Sequence, residues 1–385
     1  MLSNHNQLSD TFNRFFDSEK SGGVLLIIAT LLSLFLANSN IGETYIGLWE
    51  FQFLGLTLTQ LINDGLMAIF FLLIGLELER EIYTGELSNP RSAALPFFAA
   101  LGGMLIPALI HYSFNFDTST QAGAGIPMAT DIAFALGVLA LLGNKIPPAL
   151  KVFVVAFAVI DDLGAIAIIG LFYSHEISSF YLLLALGLWA LICFLNFCRL
   201  MQLKIYILGG LLLWFLMLKS GIHPTIAGVM LAFSIPFTNK KAVEKSPSFR
   251  LEKLLHKPAA LIILPLFALA NTAIMIDDNW MDFLTTDNFS GIFLGLIIGK
   301  PLGVLIFSYT AVAFGFAMPP VNVRWSHIFG AGVLGGIGFT MSIFITNLAF
   351  GDQLGLINAS KIAIMLASLL AGLVGYLWLR FRMVS

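Results

Sequence analysis

The chain has 385 residues, of which 58% are hydrophobic and only 11% are charged. Soluble domains carry about a quarter charged residues, so this composition excludes an ordinary water-soluble protein. The 20 Lys and Arg nearly balance the 22 Asp and Glu, which gives no basic field for a nucleic-acid partner, and the high hydrophobicity excludes disorder. The chain is therefore predicted to be an all-α polytopic membrane protein.

Twelve segments are long and apolar enough to cross a bilayer, which takes about 20 residues in helical form. They are 22–38, 57–83, 93–114, 121–143, 149–173, 179–198, 204–218, 222–236, 250–275, 289–314, 326–349 and 356–379. The connections are short, which predicts one transmembrane domain over residues 1–385.

The segment before the first span is predicted to lie on the membrane surface. Within residues 1–21, Leu8, Phe12 and Phe16 recur at helical spacing, which is typical of an interfacial helix. The segment is long and partly acidic, which argues against a cleaved signal peptide.

The distribution of basic residues predicts the orientation. With the N-terminus in the cytoplasm, nearly all Lys and Arg fall on the cytoplasmic side of the twelve spans. Only Lys219 and Lys361 fall on the opposite side, and Lys300 lies within a span. The positive-inside rule then predicts a multi-pass membrane protein with both termini in the cytoplasm.

The fourth span is predicted to be interrupted at membrane depth. Gly123, Gly125 and Pro127 disfavour a continuous helix, and Thr130 and Asp131 suit the start of a new half-helix. Interrupted helices at this depth are tolerated only where protein or a water-filled cavity satisfies the freed backbone groups.

The fifth span carries the most informative charges. Asp161 and Asp162 lie near its centre, with apolar residues on either side. Charged side chains at this depth are costly and usually mark ion or proton paths. Two carboxylates held close repel each other when both are ionised, so a proton can compete with a metal cation for the same oxygens. The competing interpretation is a buried pair neutralised by hydrogen bonds or by a lysine.

Lys300 is the one basic residue deep within a predicted span, followed by Pro301. Its expected partner is a buried aspartate, either Asp161 or Asp131. The pair either takes part in ion movement or forms a static salt bridge.

The eleventh span repeats the interruption of the fourth. It contains five glycines between residues 330 and 338, and its GAGV segment is similar to the GAGI segment at 123–126. Each interrupted span is the middle one of three, so residues 93–173 and 289–379 are predicted to form inverted repeats. Paired interrupted spans point to a transporter site, although glycines also serve helix packing in membranes.

Eight segments together resemble the NhaA family of bacterial sodium–proton antiporters. They are FFLLIGLELERE, ATDIAFALGVLALLG, AVIDDLGAIAII, SGIHPTIAG, RLEKLLHKP, ILPLFALAN, GKPLG and GGIGFTMSIFI. The resemblance covers essentially the whole chain, in order. NhaA antiporters are among the transporters in which paired interrupted helices were recognised, so the two observations are not independent.

The resemblance implies electrogenic exchange of one Na+ or Li+ for two protons, with shutdown at acidic pH and expulsion of sodium in salt tolerance and pH homeostasis. It implies that Asp161 and Asp162 bind either the metal ion or protons, and that Asp131, Thr130 and Lys300 support that site. The fourth and eleventh helices are expected to cross, and a homodimer is expected. No resident cofactor and no enzymatic activity are expected.

The resemblance also implies a set of residues for pH sensing and for the ion funnels. Glu77, Arg80 and Glu81 are expected to join Glu252 and His256 at the cytoplasmic funnel, where ordinary interfacial salt bridging is the alternative. His223 matches a family histidine linked to the pH response, although it can also simply cap or pack. Asp64 suits an outer funnel or a helix N-terminal charge.

Three other functions fit parts of the pattern. An intramembrane aspartyl protease would pair Asp131 with Asp161, but the chain has no GxGD segment. A passive channel needs weak sites that release ions readily, and buried paired charges would instead bind ions. The strongest competitor is a sodium-coupled solute symporter on a similar crossed-helix plan, which would need a larger polar cavity.

Overall fold

The structure is a computed structural model that describes residues 21–53, 55–143, 146–173, 177–238, 246–276, 280–351 and 353–382. The predicted interfacial helix within 1–21 lies almost wholly outside these residues. The helices are α1 (Ser21–Ala37), α2 (Gly42–Glu50), α3 (Leu58–Tyr83), α4 (Pro90–Phe114), α5 (Ile132–Leu141), α6 (Pro148–Phe172), α7 (Ser179–Phe197), α8 (Leu203–Ser220), α9 (Ile226–Ala232), α10 (Pro247–Asn271), α11 (Asp287–Ala313), α12 (Trp325–Gly335), α13 (Phe339–Phe350) and α14 (Leu354–Arg382). Short 3-10 helices cover Glu86–Ser88, Gln121–Met128 and Trp280–Thr285, and a two-stranded antiparallel hairpin pairs β1 (Gln52–Phe53) with β2 (Leu56–Thr57).

The predicted all-α polytopic architecture is confirmed. Within the described residues, nine helical segments are long and apolar enough to cross a membrane. Two further pairs qualify only when joined: α1 with α2, bent by 115°, and α12 with α13, bent by 47°. The predicted count of twelve spans is not confirmed.

The eighth predicted span, 222–236, contains only a short helix. α9 has seven residues, or about 10 Å at 1.5 Å per residue, against a hydrocarbon core of about 30 Å. Gly221, with φ of +83°, ends α8, since a left-handed residue suits glycine after a helix. Ser234 and Ile235 bond in tight turns ahead of Pro236, which excludes a helical continuation.

Two groups of helices surround the middle of the molecule, and the central element of each is broken as predicted. In the first group, between α4 and α6, the 3-10 helix Gln121–Met128 gives way to α5 through an extended segment. In the second, between α11 and α14, α12 and α13 are separated by residues 336–338. The inverted relation of the two groups stays a prediction.

Candidate functional site

The two breaks lie against each other and satisfy each other's backbone groups. The backbone N–H of Asp131 donates to the carbonyl of Ile337 at 2.6 Å. The Thr130 hydroxyl donates to the carbonyl of Gly335 at 2.9 Å. Backbone groups freed from a helix in an apolar environment need such partners, so each interruption stabilises the other.

Asp131 is held by both half-helices. One carboxylate oxygen accepts the backbone N–H of Phe134 at 2.9 Å and so caps α5. The other accepts the backbone N–H of Thr340 at 3.0 Å and its hydroxyl at 2.5 Å, at the start of α13. Ser342 adds a further link by donating to the carbonyl of Ile126 at 2.7 Å. Asp131 therefore offers a negative charge to two helix N-termini, where it is stabilising.

Where the two breaks meet, which we call the crossing, the second break also packs tightly against α11, and this contact requires a glycine at position 336. A Cβ there would lie 2.4 Å from the backbone oxygen of Leu296, a contact that only a backbone shift can relieve. Overpacking of this kind costs about 1–3 kcal/mol or more.

We expect Gly336→Ala to lower the melting temperature of the purified protein clearly. Gly372→Ala is the matched control, because a Cβ there would meet nothing closer than 3.7 Å. Equal melting temperatures for the two variants would contradict the proposed close approach at the crossing.

The aspartate pair lies beside this crossing, fully buried on α6. Asp161, Asp162 and Lys300 all have 0% exposure. The Nζ atom of Lys300 lies 2.9 and 2.8 Å from the two carboxylate oxygens of Asp161 and also donates to the carbonyl of Met128. Of the two partners that the sequence leaves open for Lys300, the structure places Asp161 in contact.

Asp162 differs sharply from its neighbour. Neither of its carboxylate oxygens accepts a hydrogen bond from any residue that the structure describes. A buried carboxylate without a partner is expensive, because it loses its hydration and gains nothing in return. Asp162 therefore needs a proton or a cation to offset its charge, whereas Asp161 already has Lys300.

A carboxylate cluster lies at one end of α3 and α10. Arg80 contacts Glu252 through its Nε at 2.8 Å and Glu81 through an Nη at 2.9 Å. Glu79, which is absent from the predicted set, is buried and accepts a hydrogen bond from the Ser248 hydroxyl. We call Glu79, Arg80, Glu81 and Glu252 the carboxylate cluster.

A small cavity of about 20 Å³ lies between α3, α5 and α10. Its lining includes Glu77 and His256, and otherwise consists of apolar side chains from these three helices. Ile132 and Ala133, the first residues of α5 beyond Asp131, also line it. The cavity therefore lies between Glu77, which is near the carboxylate cluster on α3, and the start of the broken helix.

His223 and Asp64 form a separate contact. The Nε2 atom of His223 lies 3.4 Å from a carboxylate oxygen of Asp64, and its Nδ1 lies 2.8 Å from the Thr225 hydroxyl. Asp64 and Glu77 are thirteen residues apart on α3, or about 20 Å at 1.5 Å per residue. The residues predicted for pH sensing and funnels thus form two groups at different levels of the bundle.

Several residues of the site were not predicted. The Thr340 and Ser342 hydroxyls bridge the two breaks, and the Met128 carbonyl accepts from Lys300. Thr340 and Ser342 belong to the GGIGFTMSIFI segment, so the resemblance drew attention to the segment without singling them out. Glu79 alternates with Glu77 and Glu81 along α3 and carries no distinguishing signal in the sequence.

Comparison with known proteins gives one consistent result. The profile of the family described as "Na+/H+ antiporter 1" matches residues 13–379. A protein named Na(+)/H(+) antiporter NhaA from Dechloromonas aromatica is 59% identical over 99% of this chain and 98% of its own length. Proteins of the same name from Citrobacter koseri and Vibrio parahaemolyticus are 47% and 46% identical, over 96% and 98% of this chain and 98% of their own lengths. This chain belongs to the NhaA family of Na+/H+ antiporters.

Proposed function

We propose that the protein exchanges Na+ or Li+ for protons across a bacterial inner membrane, and that the buried group formed by Asp161, Asp162 and Lys300 holds either the metal ion or protons. The observation that carries this proposal is the unpartnered, fully buried carboxylate of Asp162 beside the Asp161–Lys300 pair. Its charge must be offset, and either a proton or an alkali cation does so. The names of the relatives support sodium and protons as the ions.

Charge balance in the buried site links the two ions. With Asp162 protonated and Asp161 paired with Lys300, the three groups carry no net charge. A sodium ion bound by both carboxylates displaces the Asp162 proton and draws Asp161 away from Lys300. A buried ammonium group that loses its counter-ion is costly, so Lys300 releases its proton as well. Two protons then leave for each sodium that binds.

This stoichiometry makes transport sensitive to voltage. Exchange of two protons for one Na+ moves one net charge per cycle, which is worth about 2.3 kcal/mol per 100 mV of membrane potential. Proton entry driven by the pH gradient and the potential would then expel sodium, as salt tolerance and pH homeostasis require.

We assign the cavity beside Glu77 and His256 as the cytoplasmic route to the site. It reaches the first residues of α5, next to the break that carries Asp131. Acidic residues near its mouth favour cations over anions. Alternating access requires that the site be closed to the other side while this route is open.

The carboxylate cluster suits control of this route by pH. Its three glutamates are buried, as is Glu77 nearby on α3, and Arg80 is paired with two of them, Glu81 and Glu252. Adding protons to such a set changes which carboxylates Arg80 holds. We propose that the protonated arrangement closes the route at acidic pH and that the ionised arrangement opens it at alkaline pH.

Glu252→Gln tests this control. The variant removes one charged partner of Arg80 and leaves Glu81. We expect the midpoint of the pH–activity curve to move while the maximal exchange rate stays close to that of the unaltered protein. Glu43→Gln, on the exposed face of α2, is the control and should leave the midpoint unchanged. If the midpoint of the pH–activity curve is the same in Glu252→Gln and Glu43→Gln, the carboxylate cluster does not control the response to pH.

The remaining features of the proposal concern the membrane. The basic residues near the ends of the spans support a cytoplasmic location for both termini. This places the carboxylate cluster on the cytoplasmic side and the β1–β2 hairpin on the outer side. We also propose a homodimer, and crosslinking in native membranes tests it.

The direct test uses everted membrane vesicles that carry an imposed pH gradient. Addition of Na+ or Li+ should collapse the gradient, K+ should not, and the response should rise from acidic to alkaline pH. No organic solute is present, so a sodium-coupled solute symporter would give no response. An unchanged gradient after addition of Na+ or Li+ at alkaline pH would overturn the proposed function.

A further inference from the structure

Three asparagine side chains meet at the junction of α3, α10 and α13. Asn271 donates to Asn63 at 2.8 Å and accepts from Asn63 at 3.3 Å. The carbonyl oxygen of the same Asn271 accepts from Asn347 at 2.7 Å, and its amino group donates to the carbonyl of Phe267 at 3.0 Å. We call Asn63, Asn271 and Asn347 the amide cluster. Asn271 is only 1% exposed, and its hydrogen-bonding groups are all engaged.

The amide cluster lies at the opposite end of the bundle from the carboxylate cluster. On α3, Asn63 precedes Glu77 by fourteen residues, which is about 21 Å. On α10, Asn271 follows Glu252 by nineteen residues, or about 28 Å. Asn347 lies seven residues beyond Thr340, about 10 Å along α13 from the crossing. The cavity beside Glu77 and His256 and the amide cluster therefore lie toward opposite ends of the bundle.

The cluster also joins two different parts of the fold. Asn347 is on α13, within the group of helices that contains the crossing. Asn63 and Asn271 are on α3 and α10, which lie outside both three-span groups. Alternating access in transporters with repeated halves arises largely from movement of one bundle against another around a fixed site. Any such movement that opens this end must separate Asn347 from Asn271.

We propose that the amide cluster is the outer gate of the antiporter, with Asn347 as the residue that releases when the site opens to the outside. This proposal rests on the proposed function, because a gate is meaningful only for alternating access. Neutral amide hydrogen bonds suit the task because each contributes modestly once exchange with water is counted. They hold the end closed and still allow it to open many times per second, which a buried ion pair would resist.

Cysteine labelling tests the gate without relying on transport. Cys193 and Cys198 are replaced by Ser, and Ala268→Cys supplies the reporter. Ala268 is 1% exposed and lies one helical turn before Asn271, on the same face. A membrane-impermeant maleimide is then applied to right-side-out vesicles, without sodium or a pH gradient. Asn347→Ala should raise the labelling rate about two- to tenfold, the population change expected from losing one neutral hydrogen bond.

Asn288→Ala is the matched control. Asn288 is also a buried amide, 3% exposed, but its partners are His111 on α4 and Ser360 on α14, both within the three-span groups, so neither bond reaches α3 or α10. It should leave the labelling rate unchanged. Should Asn347→Ala fail to fold, Asn347→Ser keeps a polar side chain but lacks the amide that donates to Asn271, and it should give the same rise.

The outcomes separate the gate from the proposed function. An unchanged rate in both cluster variants, or an equal rise in Asn288→Ala, would overturn the gate. If the unaltered protein carries out antiport and the labelling rate does not change in the variants, only the gate is wrong. If the unaltered protein shows no antiport, the proposed function is wrong, whatever the labelling shows.

Discussion

Asp162→Asn is expected to abolish sodium-dependent proton movement in everted vesicles. The amide has the size of the carboxylate but no negative charge, so it neither offsets a bound cation nor accepts and releases a proton. Sodium is then left with Asp161 as its one buried counter-ion, and the proton that sodium displaces from Asp162 has no carrier, so exchange should fall below detection. The fold should survive, because no described residue hydrogen-bonds to the carboxylate of Asp162.

Asp117→Asn is the matched control for this change. Asp117 is exposed and has a φ of 58°, a backbone conformation that asparagine adopts readily. The control should retain full exchange and an unchanged melting temperature. If Asp162→Asn exchanges ions at the rate of the control, Asp162 is not part of the ion-binding site.

Lys300→Met is expected to lower both stability and transport. Methionine has a similar length but leaves the carboxylate of Asp161 buried without its partner at 2.8 Å. Leaving one charge of a buried pair unpaired costs about 3–5 kcal/mol. Thermal unfolding of the purified protein should therefore begin at a clearly lower temperature, and exchange should lose its dependence on membrane potential.

The double variant Asp161→Asn/Lys300→Met separates these two effects. Replacing both partners removes the unpaired charge, so the melting temperature should return most of the way to that of the unaltered protein. Transport should not recover its voltage dependence, because the second proton carrier is gone. A double variant that is less stable than Lys300→Met would show that Lys300 stabilises the fold by other means than its pairing with Asp161.

The main elements of the site could be predicted from the sequence because their residue types are unusual in membrane-spanning helices. Asp161, Asp162 and Lys300 are charges at a depth where charge is costly, and glycines and proline mark the fourth and eleventh spans as unable to form continuous helices. Each signal is local, so one sequence is enough to reveal it.

The contacts that depend on distant partners could not be predicted. The hydroxyl of Thr340 meets Asp131 across 209 positions, and the side chain of Asn271 meets that of Asn63 across 208. Neither a threonine nor an asparagine carries any signal in the sequence of which distant residue it contacts. The bend of 115° between α1 and α2 was also missed, because hydropathy reports the apolar length of a segment and not its direction.

The most direct test of the central claim is proton release from purified protein when sodium binds. The unaltered protein, in weakly buffered detergent solution at alkaline pH, should release two protons for each sodium bound, and Asp162→Asn should release none. This measurement needs neither a membrane nor a complete transport cycle. Sodium binding of normal affinity without any release of protons would contradict the account, because the two ions would then not compete for the buried group of Asp161, Asp162 and Lys300.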